Sequence, residues 1–358
     1  MLPSTETARA PAASPFGDFA HVEAALDRYR AYTAAAMSRY LPDKEPRRHL
    51  YDLVADYPTR PGKALRPALC LATCGAFGAD IAMAERMAVT LELIHNGFLV
   101  HDDIEDESDN RRGRPTMHRL HGTPLAVNVG DALHVLSLRP LMECRDTLGP
   151  GLAWRLFCEI EHMIRESVEG QAMEIGWIHD NHTDLTPDDY LRMTLKKTCW
   201  YTCIHPVRIG ALIATGGHVP PETFDRFGYY LGAAFQIQDD LLNLVGDVDK
   251  YGKEILGDIW EGKRTMMLIH LLLECDPAER SWLVSFLSRP RPARSEADVQ
   301  QVRQLMDKHG SIDFGRSCSR YLAGAALSEF EGAYSTAEDN ADLRFLRDLV
   351  LYMIGRDL

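Results

Sequence analysis

Apolar residues recur along this chain at helical intervals, over stretches long enough to span many turns. Leu91, Ile94, Phe98 and Leu99 fall on one helical face, as do Leu231, Ala234, Phe235, Gln238 and Leu241. The same period returns in 151–176, 188–215, 264–275 and 341–355. Strictly alternating β-branched runs, the signature of half-buried strands, are hard to find. Turn chemistry interrupts the helical pattern at 57–62, 113–115, 179–187, 216–221 and 288–294. No composition shift marks a domain boundary, and no repeat of solenoid period is present. The pattern predicts an all-α protein: one domain of long helices over residues 19–358. Residues 1–18, rich in Pro, Ala and Ser, read as a disordered tail.

Two of the apolar helices are interrupted by acid. The first carries Leu99-Val100-His101-Asp102-Asp103-Ile104-Glu105-Asp106, with Asp102 and Asp106 one turn apart on one face. The second carries Phe235-Gln236-Ile237-Gln238-Asp239-Asp240-Leu241-Leu242-Asn243, where Asp239 and Asn243 repeat that spacing. An isolated acidic pair is ordinarily solvated surface. Here each cluster follows a mainly apolar stretch, 91–100 and 231–237, and a carboxylate in a buried helix is costly unless neutralised. Two like charges one turn apart repel by ~4 kcal/mol at an effective dielectric near 20. Hard divalent cations prefer such oxygen ligands, and magnesium typically combines one or two carboxylates with substrate phosphates.

Composition narrows the class. Of 358 residues, 46% are hydrophobic, ample for a folded core, while the net charge of -13 excludes nonspecific nucleic-acid binding. No apolar run reaches the roughly 18 residues of a membrane span, and no secretory signal is expected from the first residues. The eight cysteines include the pairs Cys70/Cys74 and Cys199/Cys203, which sit in apolar segments without zinc spacing. They read as buried reduced thiols, so a cytoplasmic location is expected. Despite the overall acidity, cations cluster near the acidic sites. These are Gly62-Lys63-Ala64-Leu65-Arg66-Pro67, Arg111-Arg112-Gly113-Arg114-Pro115, Lys196-Lys197-Thr198, and Lys253 and Lys263 on either side of Gly257-Asp258. Each alone is ordinary surface charge; together they could bind an anion.

Taken with His95, Met117-His118, Gly130-Asp131 and 252–265, these stretches resemble the trans-type isoprenyl diphosphate synthases (polyprenyl synthetases), most of all geranylgeranyl diphosphate synthases. The matches keep the family's order from about residue 60 to 270. The resemblance implies a helical bundle around a central active-site cavity and a homodimer without membrane insertion. It also implies magnesium, three ions in number. The implied reaction condenses isopentenyl diphosphate with an allylic diphosphate.

Carried over by position, Asp102, Asp106 and Asp239 would hold the metal, with Asp103 and Asp240 supporting them. Arg111, Lys197, Lys253 and Lys263 would contact the allylic diphosphate, and Lys63, Arg66, His95 and Arg112 the isopentenyl diphosphate. Thr198 and Gln236 would turn oxygen dipoles towards the allylic cation. Such a site works by stabilising charge on the leaving diphosphate and by positioning, the latter worth ~7–11 kcal/mol.

The second acidic site departs from many relatives in ending on Asn243, a neutral oxygen donor, so a weaker metal contact is expected there. Product length is expected to depend on Gly97 and Phe98, just ahead of Asp102: Phe98 as a floor, Gly97 as an opening. A C20 product is favoured, with C15 next. Trp200, Tyr201 and His205 form an aromatic segment after Thr198 that reads as core packing or as a cation-stabilising wall. Two other functions remain open at this point: a terpene cyclase on the same scaffold, and a noncatalytic partner subunit. The complete Lys63, Arg66, His95 and Arg112 set speaks against the cyclase, and the nearly complete acidic sites against the subunit.

Overall fold

The computed structural model describes residues 19–246 and 255–355. Helix α1 (Ala20–Met37) buries Val22, Leu26, Tyr29 and Thr33, a stripe stepping by three and four. In α2 (Leu65–Ala76) all 12 residues are buried, as expected of a helix apolar all round. Helix α3 (Glu85–Glu105) is buried on two sides. Met87, Leu91 and Ile94 join one apolar cluster that reaches from Val22 to Met353, while Val89, Leu93 and Val100 join a second with Tyr57, Val129 and Leu133. A minimal hairpin follows, β1 (Asn110–Arg111) against β2 (Arg114–Pro115), antiparallel. Its two loop residues, Arg112 and Gly113, have φ of 54° and 72°, the positive pair that a tight primed turn requires. Arg-Gly satisfies this geometry without an alternating apolar pattern, so the strands left no trace in the sequence periodicity.

Helices α4 (Thr123–Leu148) and α5 (Pro150–His179) each begin after a glycine at φ 83° with proline in the first turn. Next come α6 (Pro187–Thr194), capped by Thr186 and Asp189, a π-helical segment (Leu195–Ile204), and α7 (His205–Thr215). The helix expected over 188–215 is thus continuous, but its middle is wound more widely. Neighbouring backbone makes room: a Cβ on Gly170 of α5 would lie 2.2 Å from the Lys197 nitrogen. That approach carries Lys197 and Thr198 into the interior, in the kind of local π-helix often found at functional sites.

Helix α8 (Asp225–Val245) packs against this segment and against the later helix over Ser311–Ala333. Beyond α8 follow α9 (Gly257–Glu261), α10 (Met266–Glu274), α11 (Pro277–Leu287), α12 (Glu296–Lys308), α13 (Ser311–Ala333) and α14 (Ala341–Gly355). Capping boxes Asp276/Glu279 and Ser295/Asp298 start α11 and α12. The all-α expectation is borne out, and the ranges expected over 151–176, 264–275 and 341–355 are close to α5, α10 and α14. The tail expected over 1–18 and Lys253 lie outside the described residues. Among the described residues, no helix is long and apolar enough to cross a membrane.

Candidate active site

Both acidic clusters occupy C-terminal ends of helices, of α3 and of α8. The helix dipole already makes those ends negative, so carboxylates there raise a charge that must be met by cations. Around the first cluster the cations are supplied by three separate segments.

Asp103 is wholly buried and fully engaged. The Tyr57 hydroxyl donates to its Oδ2 at 2.5 Å, and Arg111 Nε donates to its Oδ1 at 2.7 Å. Arg111 also reaches Asp102 Oδ2 at 3.0 Å. Asp102 Oδ1 lies 3.7 Å from Lys197 Nζ, and Lys197 in turn pairs closely with Glu174 of α5. Burial opposes charge on Lys197, yet Glu174 and Asp102 outweigh it and hold its pKa above the ordinary lysine range. At the foot of the cluster, Asp106 accepts from Lys263 Nζ at 2.6 Å, and Lys263 also pairs with Glu261 at 2.8 Å. Burial pushes the Asp106 carboxyl up to about 7, against the pull of Lys263, with Asp102 adding to the rise.

The second cluster is organised by hydrogen bonds. Thr198 Oγ1 donates to Gln236 Oε1 at 2.8 Å; Gln236 Nε2 donates to Asp240 Oδ1 at 2.8 Å; and the Tyr190 hydroxyl donates to Asp240 Oδ2 at 2.7 Å. Asp240 is buried, and desolvation together with Asp258 and Asp239 pushes its carboxyl well up. Asn243 Oδ1 accepts from the Asp258 backbone at 3.0 Å, at the start of α9, while its own carbonyl accepts from Leu256 N at 2.8 Å. In this arrangement Asn243 anchors the segment leading to Lys263. Asp239 is half-buried beside this network; among the described residues, no hydrogen bond or ion pair engages its carboxylate.

A second cation cluster gathers on another side of α3. Arg66 Nη1 lies 3.2 Å from His95 Nε2, Nη2 donates to Thr202 Oγ1 at 2.7 Å, and the guanidinium sits 3.9 Å from the Tyr201 ring centroid. Because arginine can only donate, His95 Nε2 is the acceptor and Nδ1 carries the proton towards the Tyr201 hydroxyl, 3.2 Å away. Arg112 packs under Gly62, where a Cβ would meet its guanidinium at 2.7 Å; Lys63 follows, exposed. Burial lowers the Arg112 pKa, Glu92 opposes that, and the neighbouring Arg111, Arg66 and Arg60 add to it. An anion placed here would relieve that crowding.

The structure therefore brings Asp102, Asp103, Asp106, Arg111, Lys197 and Lys263 together, and Thr198, Gln236 and Asp240 into one chain of hydrogen bonds. It also gathers Arg66, His95 and Arg112. Phe98 packs edge-on against Tyr201 and His134, at ring-centroid distances of 5.6 and 5.0 Å. The space beside Gly97 holds a neighbour: an added Cβ would lie 2.6 Å from His134 Nε2. Sequence reading overlooked Glu174, Glu92, Tyr57 and Tyr190. Glu92 carried a signal, a lone carboxylate between Leu91 and Leu93, and Glu174 a weaker one. The two tyrosines, buried hydroxyls from distant segments, carried none.

Comparison with known proteins agrees with this geometry. The family model described as polyprenyl synthetase matches residues 47–306. The chain is 34% identical over 284 residues to a geranylgeranyl diphosphate synthase of Saccharolobus solfataricus, covering 78% of this chain and 83% of that one. It is 29% identical over 353 residues to a geranylfarnesyl diphosphate synthase of Natronomonas pharaonis, covering 94% and 98%. The solved geranylgeranyl pyrophosphate synthetase of Pyrococcus horikoshii superposes with a TM-score of 0.83 at 28% identity, over 95% of this chain and 99% of that one. This chain belongs to the polyprenyl synthetase family. Membership bears out the prenyltransferase expected from the sequence.

Proposed function

We propose that the protein joins isopentenyl diphosphate to an allylic diphosphate and releases a linear trans-prenyl diphosphate, geranylgeranyl diphosphate (C20). The observation that carries this reading is the pair of separate cation clusters beside α3: Arg111, Lys197 and Lys263 at the carboxylates, and Arg66 with His95 and Arg112 apart from them. Two diphosphates need two such clusters; a cyclase needs one.

The donor set fits a hard divalent ion. Asp102, Asp106 and Asp239 offer only oxygen, at helix ends already negative. Among the described residues, no three acidic, histidine or cysteine side chains converge on one metal position. Magnesium is suited to such a site, taking one or two carboxylates and completing its shell with water and substrate phosphates. In this reading Asp102 and Asp106 would hold metal from one helix and Asp239 from the other, and metal bound there would offset charge on the departing diphosphate. Arg111 and Lys197 orient the same diphosphate beside Asp102, with Lys263 at Asp106. Asp103 and Asp240 hold Arg111 and Gln236 in place. Arg66, His95, Arg112 and the exposed Lys63 grip the isopentenyl diphosphate. The Thr198 hydroxyl and Gln236 amide, joined by their hydrogen bond, turn oxygen dipoles towards the developing allylic cation.

Product length rests on Phe98, wedged between Tyr201 and His134 as a floor, and on the geranylgeranyl synthases among the relatives. The active unit in this reading is a homodimer. Val135 and Met142 on α4 and Trp154 and Val168 on α5 are 65%, 69%, 65% and 53% exposed. Large side chains of this kind on adjoining helices form a face suited to a second copy.

The test is a product assay with purified protein, magnesium, isopentenyl diphosphate and C5, C10 or C15 allylic primers in turn. The reading expects a C20 alcohol seen only after phosphatase treatment. A hydrocarbon or cyclic alcohol released without phosphatase would overturn it.

A further inference from the structure

Arg60 stands outside every basic stretch read from the sequence, yet its side chain is wholly buried. A guanidinium is tolerated there only if its donors are met. Nη1 donates to the carbonyl oxygens of Arg111 at 3.0 Å and Arg114 at 3.4 Å, and Nη2 to that of Pro115 at 2.9 Å. Nη2 and Nε also reach Asp56 Oδ2 at 2.6 and 3.1 Å. Three of these acceptors belong to the β1–β2 hairpin, and one is the carbonyl of Arg111 itself.

The same short segment holds the end of α3. The Arg60 guanidinium lies 4.3 Å from the ring centroid of Tyr57, whose hydroxyl donates to Asp103 and accepts from Met117 N at 3.1 Å. Asp56 pairs with Arg114 at 2.8 Å. In return, Arg112 Nη1 donates to the carbonyls of Tyr57 at 3.4 Å and Arg60 at 3.5 Å.

We infer that Asp56, Tyr57 and Arg60 form a bracket that locks the hairpin against the carboxylate end of α3, and so fixes the two diphosphate sites relative to each other. The inference rests on the function proposed above. Arg111 faces Asp102 and Asp103, while its chain neighbour Arg112 faces the Arg66 and Glu92 side. A two-residue turn with both φ positive leaves little play between these arginines. A hairpin released from Arg60 therefore misplaces both cations at once. Arg60 is a positioning residue: it touches backbone carbonyls of the hairpin and acts through Arg111 and Arg112.

Arg60→Met and Arg60→Lys test this, with KM measured separately for isopentenyl diphosphate and for the allylic primer, alongside Tm. Lysine keeps the charge beside Asp56 but cannot meet three carbonyls. The bracket predicts that Arg60→Met raises both KM values tenfold or more, and that Arg60→Lys raises both by a smaller factor with Tm nearly unchanged. If Arg60→Met does not fold, Arg60→Lys decides by the same criterion. KM values within twofold of wild type, a rise in only one of them, or a lower Tm with both KM values unchanged would each overturn the bracket. A wild-type protein that makes no prenyl diphosphate would instead overturn the proposed function.

Discussion

Lys263 Nζ lies 2.6 Å from Asp106 Oδ2, although 157 positions separate the two residues in the chain. The contact ties the segment that follows the second acidic helix to the end of the first. Lysine here meets a carboxylate that the proposed function assigns to magnesium, so part of the acidic charge is offset before any metal arrives. Lys263→Ala should leave Asp106 and Glu261 without their shared cation and destabilise the protein by ~2–4 kcal/mol. Thermal melts in EDTA should show a larger deficit than melts with magnesium and inorganic diphosphate, because the magnesium held there restores positive charge. Equal deficits in both would mean that the metal does not reach Asp106.

Phe98 meets Tyr201 and His134 edge-on, and the proposed function makes it the floor that limits chain length. Phe98→Ala should open that floor and move the product distribution to chains longer than C20, read by mass spectrometry of the dephosphorylated products. An unchanged distribution would return Phe98 to core packing. Gly97→Ala should act differently, since its Cβ would meet His134 at 2.6 Å. A stability loss of ~1–3 kcal/mol is expected from that overpacking.

The pattern of apolar positions was sufficient to read the helices, because side chains recurring every three to four residues over several turns share a face only when the chain is helical. Asp102, Asp106 and Asp239 were legible because acid in an apolar helix is conspicuous. Partners brought in by the fold were not: Tyr57 for Asp103, Tyr190 for Asp240 and Glu174 for Lys197 come from segments without a local signal. Asn243 shows the limit from the other side. Its position matched a metal-binding pattern, while its side-chain oxygen accepts from the Asp258 backbone. Periodicity also gave one ordinary helix where residues 195–204 are π-helical, a choice made by the close packing of Gly170 against Lys197.

His134 supplies a pH signature. Burial, with His101 adding to it, lowers its pKa from the ordinary 6.5 to about 4. Between those values the unfolded chain binds a proton that the folded one refuses, so stability rises with pH across that window. It is therefore lost as pH falls from about 6.5 to about 4, by at most ~3 kcal/mol. His134→Gln should flatten this part of the Tm-versus-pH curve; a variant with the wild-type slope would assign the loss to other groups.

The exposed apolar face of α4 and α5 gives a prediction in solution. For the homodimer proposed above, Met142→Glu, at a side chain 69% exposed in the single chain, should shift the mass measured by light scattering from dimer to monomer. The cost of burying an unpaired carboxylate in such an interface is several kcal/mol. A variant that remains dimeric would place the interface elsewhere.

The most direct test of the site formed by the two acidic helices compares wild type with Asp102→Ala and Asp239→Ala in the magnesium-dependent product assay, with helicity followed by circular dichroism. The account predicts a linear prenyl alcohol from wild type after phosphatase. Each variant should lose activity by ~10³-fold or more at unchanged helicity, since each removes charge that stabilises the transition state. Wild-type turnover in either variant would contradict the assignment of both acidic helices to one diphosphate.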